Sequence, residues 1–207
     1  MNDRAPAATV TLALTGASGM AYGIRLLECL LQNGVRVQLL YSQVAQIVAK
    51  QEMDVSLPSR PREVQKYFAE RFNAAAGQLT AYGREEWFAP VASGSNPPDA
   101  MVICPCTMGT LAAIAAGLAD NLIQRAADVV LKEKRELILV PRETPFSVTH
   151  LENMLRLARS GATILPANPG FYHRPESVSG LIDFIVARIL DHLGIANDLA
   201  PRWGNEE

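Results

Sequence analysis

Short apolar runs rich in β-branched residues alternate with stretches of helical periodicity, and this alternation restricts the fold more than any other feature. The runs are Thr9–Thr15, Val35–Tyr41, Met101–Cys104, Leu137–Val140 and Thr163–Leu165. Between them Tyr22–Gln32, Gln43–Gln51, Arg62–Phe72, Leu111–Ala116, Asn121–Glu133 and Val148–Arg159 read as helices. Strands this apolar, each followed by a helix, form a mostly parallel sheet covered on both faces. The expected fold is α/β, three-layered, in a single domain over 1–207. A last helix is announced by Leu181, Ile182, Ile185, Val186, Ile189, Leu190 and Leu193, with Ser179 as its expected cap and Gly194 as its stop. Asn73–Pro98, rich in Gly, Pro and Ser around Trp87 and Phe88, reads as an extra strand, a hairpin or a loop over a site.

Charge and composition exclude several classes. Nineteen basic residues against 21 acidic ones leave a net charge of −2, without the basic excess of a general nucleic-acid binder. The longest uncharged run, Ala100–Ala119, contains Pro105, Gly109 and Gly117, so it reads as strand, loop and small-residue helix rather than a membrane span. No long apolar export segment opens the chain, and three cysteines make no disulfide framework, so a cytoplasmic protein is expected. The basic residues comprise 15 Arg and 4 Lys. Guanidinium groups suit phosphate, although base composition produces the same bias.

Chemistry is expected at the carboxyl ends of the strands, where open α/β sheets bind ligands. Thr15-Gly16-Ala17-Ser18-Gly19 follows the first strand, and Gly23 lies four residues further on. This turn reads as a phosphate site at a helix N-terminus, or as an ordinary glycine-bearing turn. It is neither the dinucleotide fingerprint nor a P-loop, and the second strand ends in Ser42 without the carboxylate a NAD ribose needs, which favours a mononucleotide such as FMN. After the third strand, Thr107, Gly109 and Thr110 offer further donors. Cys104-Pro105-Cys106 reads as two buried thiols rather than a metal site. Arg142 and Glu143, between Pro141 and Pro145, read as a phosphate ligand and an acid/base. Arg125 and Lys132 are seven apart and share one helix face. Asn168–Pro175 is a loop with paired aromatics, and Arg188 flanks the final apolar stripe.

Together these segments resemble the UbiX-type flavin prenyltransferases. The likeness runs from about Thr11 to Trp203 and is carried by T-G-A-S-G at Thr15–Gly19 and C-P-C-T-M-G-T-L-A-A-I-A-x-G-x-x-D-N-L at Cys104–Leu122. V-P-R-E-T-P at Val140–Pro145 and P-G-F-Y-x-x-P at Pro169–Pro175 are its most specific parts; Gly170 stands where the family usually has alanine. The resemblance implies a flavodoxin-like fold, FMN as cofactor and a homo-oligomer, typically a dodecamer. It implies transfer of a dimethylallyl group from dimethylallyl phosphate to N5 and C6 of reduced FMN, giving prenylated FMN for UbiD-type decarboxylases. By the same likeness Gly16, Ala17, Ser18, Ser42, Thr107, Met108, Gly109, Thr110 and Arg142 hold FMN. Tyr172 and Arg188 bind dimethylallyl phosphate, with Lys132 and Glu143 beside its phosphate. Glu52 matches an active-site carboxylate. Trp87, Arg125 and Trp203 line the pocket, partly from neighbouring subunits, and the tail at about 194–207 joins the site or a subunit contact.

The residue types suit that chemistry independently. Departure of an allylic phosphate develops positive charge on carbon and negative charge on oxygen. Lys132, Arg142 and Arg188 match the oxygens, the faces of Tyr172 and Trp203 match the carbon, and Glu143 can protonate the leaving group. Ser18 or Glu52 can move flavin protons. No Asp-rich magnesium motif is visible, so a metal-independent reaction is expected. Two rivals are an FMN-dependent cysteine decarboxylase and a non-enzymatic flavin carrier. The first carries P-A-S-A-N-T where this chain has Pro105–Thr110, and a histidine after an early helix, whereas no histidine here precedes His150. The second has no need for so many charges.

Overall fold

The computed structural model describes residues 8–202 and 204. In chain order the elements are β1 (Thr9–Leu14), α1 (Met20–Gln32), β2 (Arg36–Tyr41), α2 (Gln43–Met53), α3 (Pro61–Arg71), β3 (Leu79–Tyr82) and a 3-10 turn at Pro90–Ala92. They continue with β4 (Ala100–Cys106), α4 (Met108–Ala115), α5 (Leu122–Lys132), β5 (Glu136–Pro141), α6 (Val148–Arg159), β6 (Thr163–Ile164) and α7 (Val178–His192). All strands are parallel in the order β3-β2-β1-β4-β5-β6. The chain builds outward from β1 in one direction and from β4 in the other, so the order reverses between them. That crevice is where ligands sit in doubly wound sheets.

The two-residue period of the strands divides the core. Leu12, Leu14, Leu39, Val102 and Val140 face α1, α3 and α7, whereas Ala13, Leu40, Ile103 and Leu139 face α4, α5 and α6. The register of β4 against β5 shifts between Ile103 and Cys106. Cys104 therefore packs into the first layer and Cys106 into the second, although they are two residues apart. Both are fully buried, and burial pushes both thiols up.

Several expected boundaries move, each for a local reason. The third expected strand continues to Cys106, and α4 begins at Met108 because Thr107 caps it, its hydroxyl accepting from Thr110 N at 3.1 Å. Ser177, not Ser179, caps α7 by accepting from Gly180 N at 3.2 Å; Ser179 lies inside the first turn. Gly194, at φ +71°, does stop that helix. Within Asn73–Pro98 the alternative realised is one extra parallel strand, β3, followed by the 3-10 turn.

Thr15 is 1% exposed and spans the crevice: its hydroxyl donates to Pro105 O at 2.7 Å and accepts from Thr107 N at 2.8 Å. Gly23 lets α1 approach closely, since a Cβ there would stand 2.2 Å from Cys104 O. Thr15→Val keeps the shape but leaves Thr107 N–H without this acceptor. We expect it to cost about 1–3 kcal/mol, read as a lower urea midpoint at unchanged slope. An unchanged midpoint would show that the bridge does not hold the two turns together.

Candidate active site at the strand order reversal

Four turns converge at the carboxyl ends of β1, β2, β4 and β5. The first carries Gly16, Ala17 and Ser18. At Gly16 a Cβ would stand 2.3 Å from Val44 Cγ1, so the turn lies against the start of α2. In the second, Ser42 N donates to Leu14 O at 3.0 Å, while the Ser42 hydroxyl accepts from Ala45 N and caps α2. The third is Thr107–Thr110, where Thr107 Oγ1 donates to Thr110 Oγ1 at 2.9 Å and the space over Gly109 is open for 4 Å. Pro141 pairs with Cys106, which sets Arg142 and Glu143 beside that third turn.

Glu52 changes the expected use of the first turn. From the last turn of α2 its carboxylate accepts from Gly19 N at 3.0 Å and Met20 N at 2.9 Å. Two amides of the expected phosphate site at the N-terminus of α1 thus already have a carboxylate of the chain as acceptor, and Gly16 and Ala17 are the part of the turn not engaged by it. Burial pushes the Glu52 carboxyl up, but hydrogen bonds from Ser18, Met20 and Gly19 and the nearby charge of Arg142 outweigh it. The net result is a value held below the ordinary 4.5. Ser18, Glu52 and Arg142 are therefore neighbours. Arg142 Nε is buried without a hydrogen-bond partner, which is a costly state for a cation donor.

The other candidates fall on separate surfaces. Tyr172 and Arg188 line a cavity of about 520 Å³ formed by the loop before α7, α7 itself and the C-terminal segment. Gly170 lies nearby, where an alanine Cβ would come within 2.9 Å of Phe184 Cζ, so the glycine matches the local packing. Arg125 and Lys132 do share one face of α5. Arg125 Nε donates to Ala92 O at 3.0 Å, and Lys132 Nζ lies 2.5 Å from Glu133 Oε1, beside Gly94. However, α5 and α7 cover opposite faces of the sheet. Lys132 precedes β5 and Glu143 follows it, so the strand alone separates them by roughly 17 Å at about 3.3 Å per residue. One chain does not bring Lys132 to Glu143. Trp87 is 45% exposed on the loop after β3, next to a fully exposed Phe88. Trp203 lies outside the described residues.

Among the described residues no group of three or more His, Cys, Asp or Glu is placed to hold a metal, and no helix is long and apolar enough to cross a membrane. Sequence reasoning from the bare residues missed the Glu52 contact. Its signal was a lone carboxylate ending the helix that follows Ser42, which spacing alone does not single out.

A parallel sheet with capped turns gathered around a guanidinium whose Nε lacks an acceptor is the architecture of a doubly wound α/β fold with a ligand crevice, and comparison with known proteins narrows it. Residues 2–190 match the family model described as Flavoprotein. A flavin prenyltransferase UbiX from Pseudomonas aeruginosa is 58% identical over 95% of this chain and 94% of its own. The crystal structure of AnUbiX (PadA1), in complex with FMN and dimethylallyl pyrophosphate, is 40% identical. It superposes with a TM-score of 0.85 over 96% of this chain and 98% of that one. A dodecameric FMN-dependent UbiX-like decarboxylase from Escherichia coli O157:H7 is 39% identical, with a TM-score of 0.82 over 95% and 100%. The chain belongs to the flavoprotein family, in its UbiX-type group. A cysteine-type relative, a PPC decarboxylase mutant at 20% identity and a TM-score of 0.53, shares the fold alone.

A carboxylate with a depressed folded value stabilises above its ordinary range, and that contribution is lost as pH falls through the folded value. Glu52→Gln is therefore expected to flatten the acid limb of stability between about pH 5 and pH 3. Urea midpoints measured across that range check this; parallel limbs in both proteins would contradict it.

Proposed function

We propose that the protein is a flavin prenyltransferase that takes a dimethylallyl group from dimethylallyl phosphate and joins it to N5 and C6 of reduced FMN. The observation that carries this reading is the buried, partnerless Arg142 Nε beside the Ser18–Glu52 pair at the order reversal. FMN fits this site: an anion there gives Arg142 its missing acceptor, and the α4 N-terminus with its open space over Gly109 and the Thr107 and Thr110 hydroxyls adds further donors. Gly16, Ala17, Ser18, Ser42, Met108 and Arg142 complete the holding set. FMN supplies a nucleophilic nitrogen and carbon in its reduced ring.

The chain's own groups then divide the work. Glu143 protonates the departing phosphate, an oxygen of its carboxyl giving up the proton as the allylic C–O bond breaks. Arg142 and Arg188 hold the phosphate oxygens as charge develops on them, and Tyr172 presents an electron-rich face to the allylic cation. The Ser18 hydroxyl, hydrogen-bonded to Glu52, gives a path by which a proton leaves the acceptor for a carboxylate. Lys132, Arg125 and Trp87 join such a site only from another copy of the chain. The dodecameric relative supports that assembly, as do exposed Phe88, Leu151 and Phe171. Trp203 is proposed for the same pocket. No step calls on a metal ion. The product, prenylated FMN, is passed to a UbiD-type decarboxylase, and the reaction is placed in the cytoplasm.

The test is to incubate the protein with reduced FMN and dimethylallyl phosphate in chelator-treated buffer and weigh the flavin. Gain of one dimethylallyl group is expected; an unchanged flavin would sink the assignment. Glu143→Gln should still quench FMN fluorescence on binding while kcat falls by about 100-fold or more. Full activity would remove Glu143 from the proton transfer. Arg142→Ala should weaken FMN by roughly 10- to 100-fold, as loss of a charged hydrogen bond predicts, and fluorescence titration reads this directly.

A further inference from the structure

We infer that Arg202 is a further guanidinium for the substrate phosphate, docked beside Arg188 by Asp191 acting as a positioning residue. Asp191 sits in the last turn of α7 and divides its carboxylate between two cations. Arg188 Nη1 donates to Oδ2 at 2.9 Å, and Arg202 Nη2 donates to Oδ1 at 3.0 Å. Asn197 Nδ2 reaches the same Oδ1 at 3.2 Å and Ile195 O at 3.3 Å, so the segment after Gly194 folds back along the helix. The result is a cavity wall on which Tyr172, Arg188 and Arg202 stand together.

Charge and exposure separate this arrangement from a simple staple. One carboxylate between two guanidiniums leaves a local charge of +1. Asp191 is 22% exposed, whereas Arg188 and Arg202, both of which line the cavity, are 55% and 58% exposed. Ion pairs as exposed as these add little to stability. A phosphate monoester carries a charge of about −1.5 to −2 near neutral pH, so a guanidinium added to the Arg142 and Arg188 already proposed for it still finds charge to balance as the leaving group departs. The paired guanidiniums on this wall also present planar forks that suit its oxygens. Four of the remaining wall residues, Phe184, Ala187, Ala200 and Pro201, are apolar and suit a short hydrocarbon attached to that phosphate.

The identity of the ligand rests on the prenyltransferase reading, whereas the anion site rests on the geometry alone, and the experiment separates them. Inorganic phosphate and dimethylallyl phosphate are titrated into FMN-loaded protein by calorimetry, alongside steady-state turnover. Arg202→Ala is expected to weaken both anions about tenfold, a charged hydrogen bond's worth. KM for dimethylallyl phosphate should rise in parallel while kcat changes far less, and FMN binding and the thermal midpoint should stay put. Arg202→Lys should recover part of the loss. In an Asp191→Ala background, Arg202→Ala should add nothing further, because the guanidinium is already undocked. If wild-type protein prenylates flavin with a KM indifferent to Arg202→Ala, or if the two changes add, the inference is overturned and the prenyltransferase reading stands. If the protein binds inorganic phosphate through Arg202 yet transfers nothing, the anion site is upheld and that reading falls.

Discussion

The buried hydroxyl of Thr15 is the interaction on which the site depends. Among the described residues it is one of two buried polar side chains in the core, and it both donates across the crevice to Pro105 O and accepts from Thr107 N. That pair of bonds fixes the turn after β1 to the turn after β4. Ser42 is then placed by its backbone bond to Leu14 O, and Arg142 by the pairing of Pro141 with Cys106. Thr15 thus ties two of the four turns together at the point where the sheet order reverses, and the backbone of β1 and the pairing of β4 with β5 set the other two. A site assembled on strand ends is held more tightly than one assembled on loops, because every support is part of the core.

Electrostatics then divide the turns between two tasks. α1 points its N-terminus into the crevice, which in many α/β proteins would be the place for a phosphate. Here Glu52 takes Gly19 N and Met20 N, so the positive end of that helix is already neutralised. Capacity for an anion shifts to the α4 N-terminus and to Arg142, whose Nε has no acceptor. The carboxylate at α1 also lies within hydrogen-bond reach of Ser18, the pair to which the proposed reaction assigns the movement of a proton.

Much of this was legible in the residues. The apolar runs located five of six strands and the helices to within a few positions, because strands buried on both faces leave a strong signal. β3 was harder: Leu79–Tyr82 is only four residues at a sheet edge, with alternating burial and no β-branched apolar residue. Ser179 misled because either of two serines two apart could cap α7, and only the backbone decides between them. The turn residues stood out because polar and charged side chains gathered at strand ends, Arg142 and Glu143 above all, are poorly explained by core packing. What spacing could not express was the direction of Glu52. Its carboxylate reaches a helix that starts 32 residues upstream, and no local pattern encodes such a contact.

The same limit governs the shape of the working site. Arg125 and Lys132 lie on α5 against the 3-10 turn, Arg188 and Tyr172 on the α7 side, and the Ser18–Glu52–Arg142 group between them at the strand ends. A sheet with helices on both faces keeps its two outer surfaces apart, so no rearrangement of side chains within one chain closes the distance. The allylic chemistry proposed for this chain needs a pocket from which water is excluded. Yet Phe88, Phe171 and Tyr172 lie largely open to solvent in the single chain, and Trp87 is about half exposed. Aromatic side chains left exposed next to separated cations are what a pocket split between copies requires: each copy offers one wall and receives the other. On the proposed reading the near-balanced charge of −2 and the small single fold describe only a component, and the reacting centre comes into being when the surfaces of two chains meet.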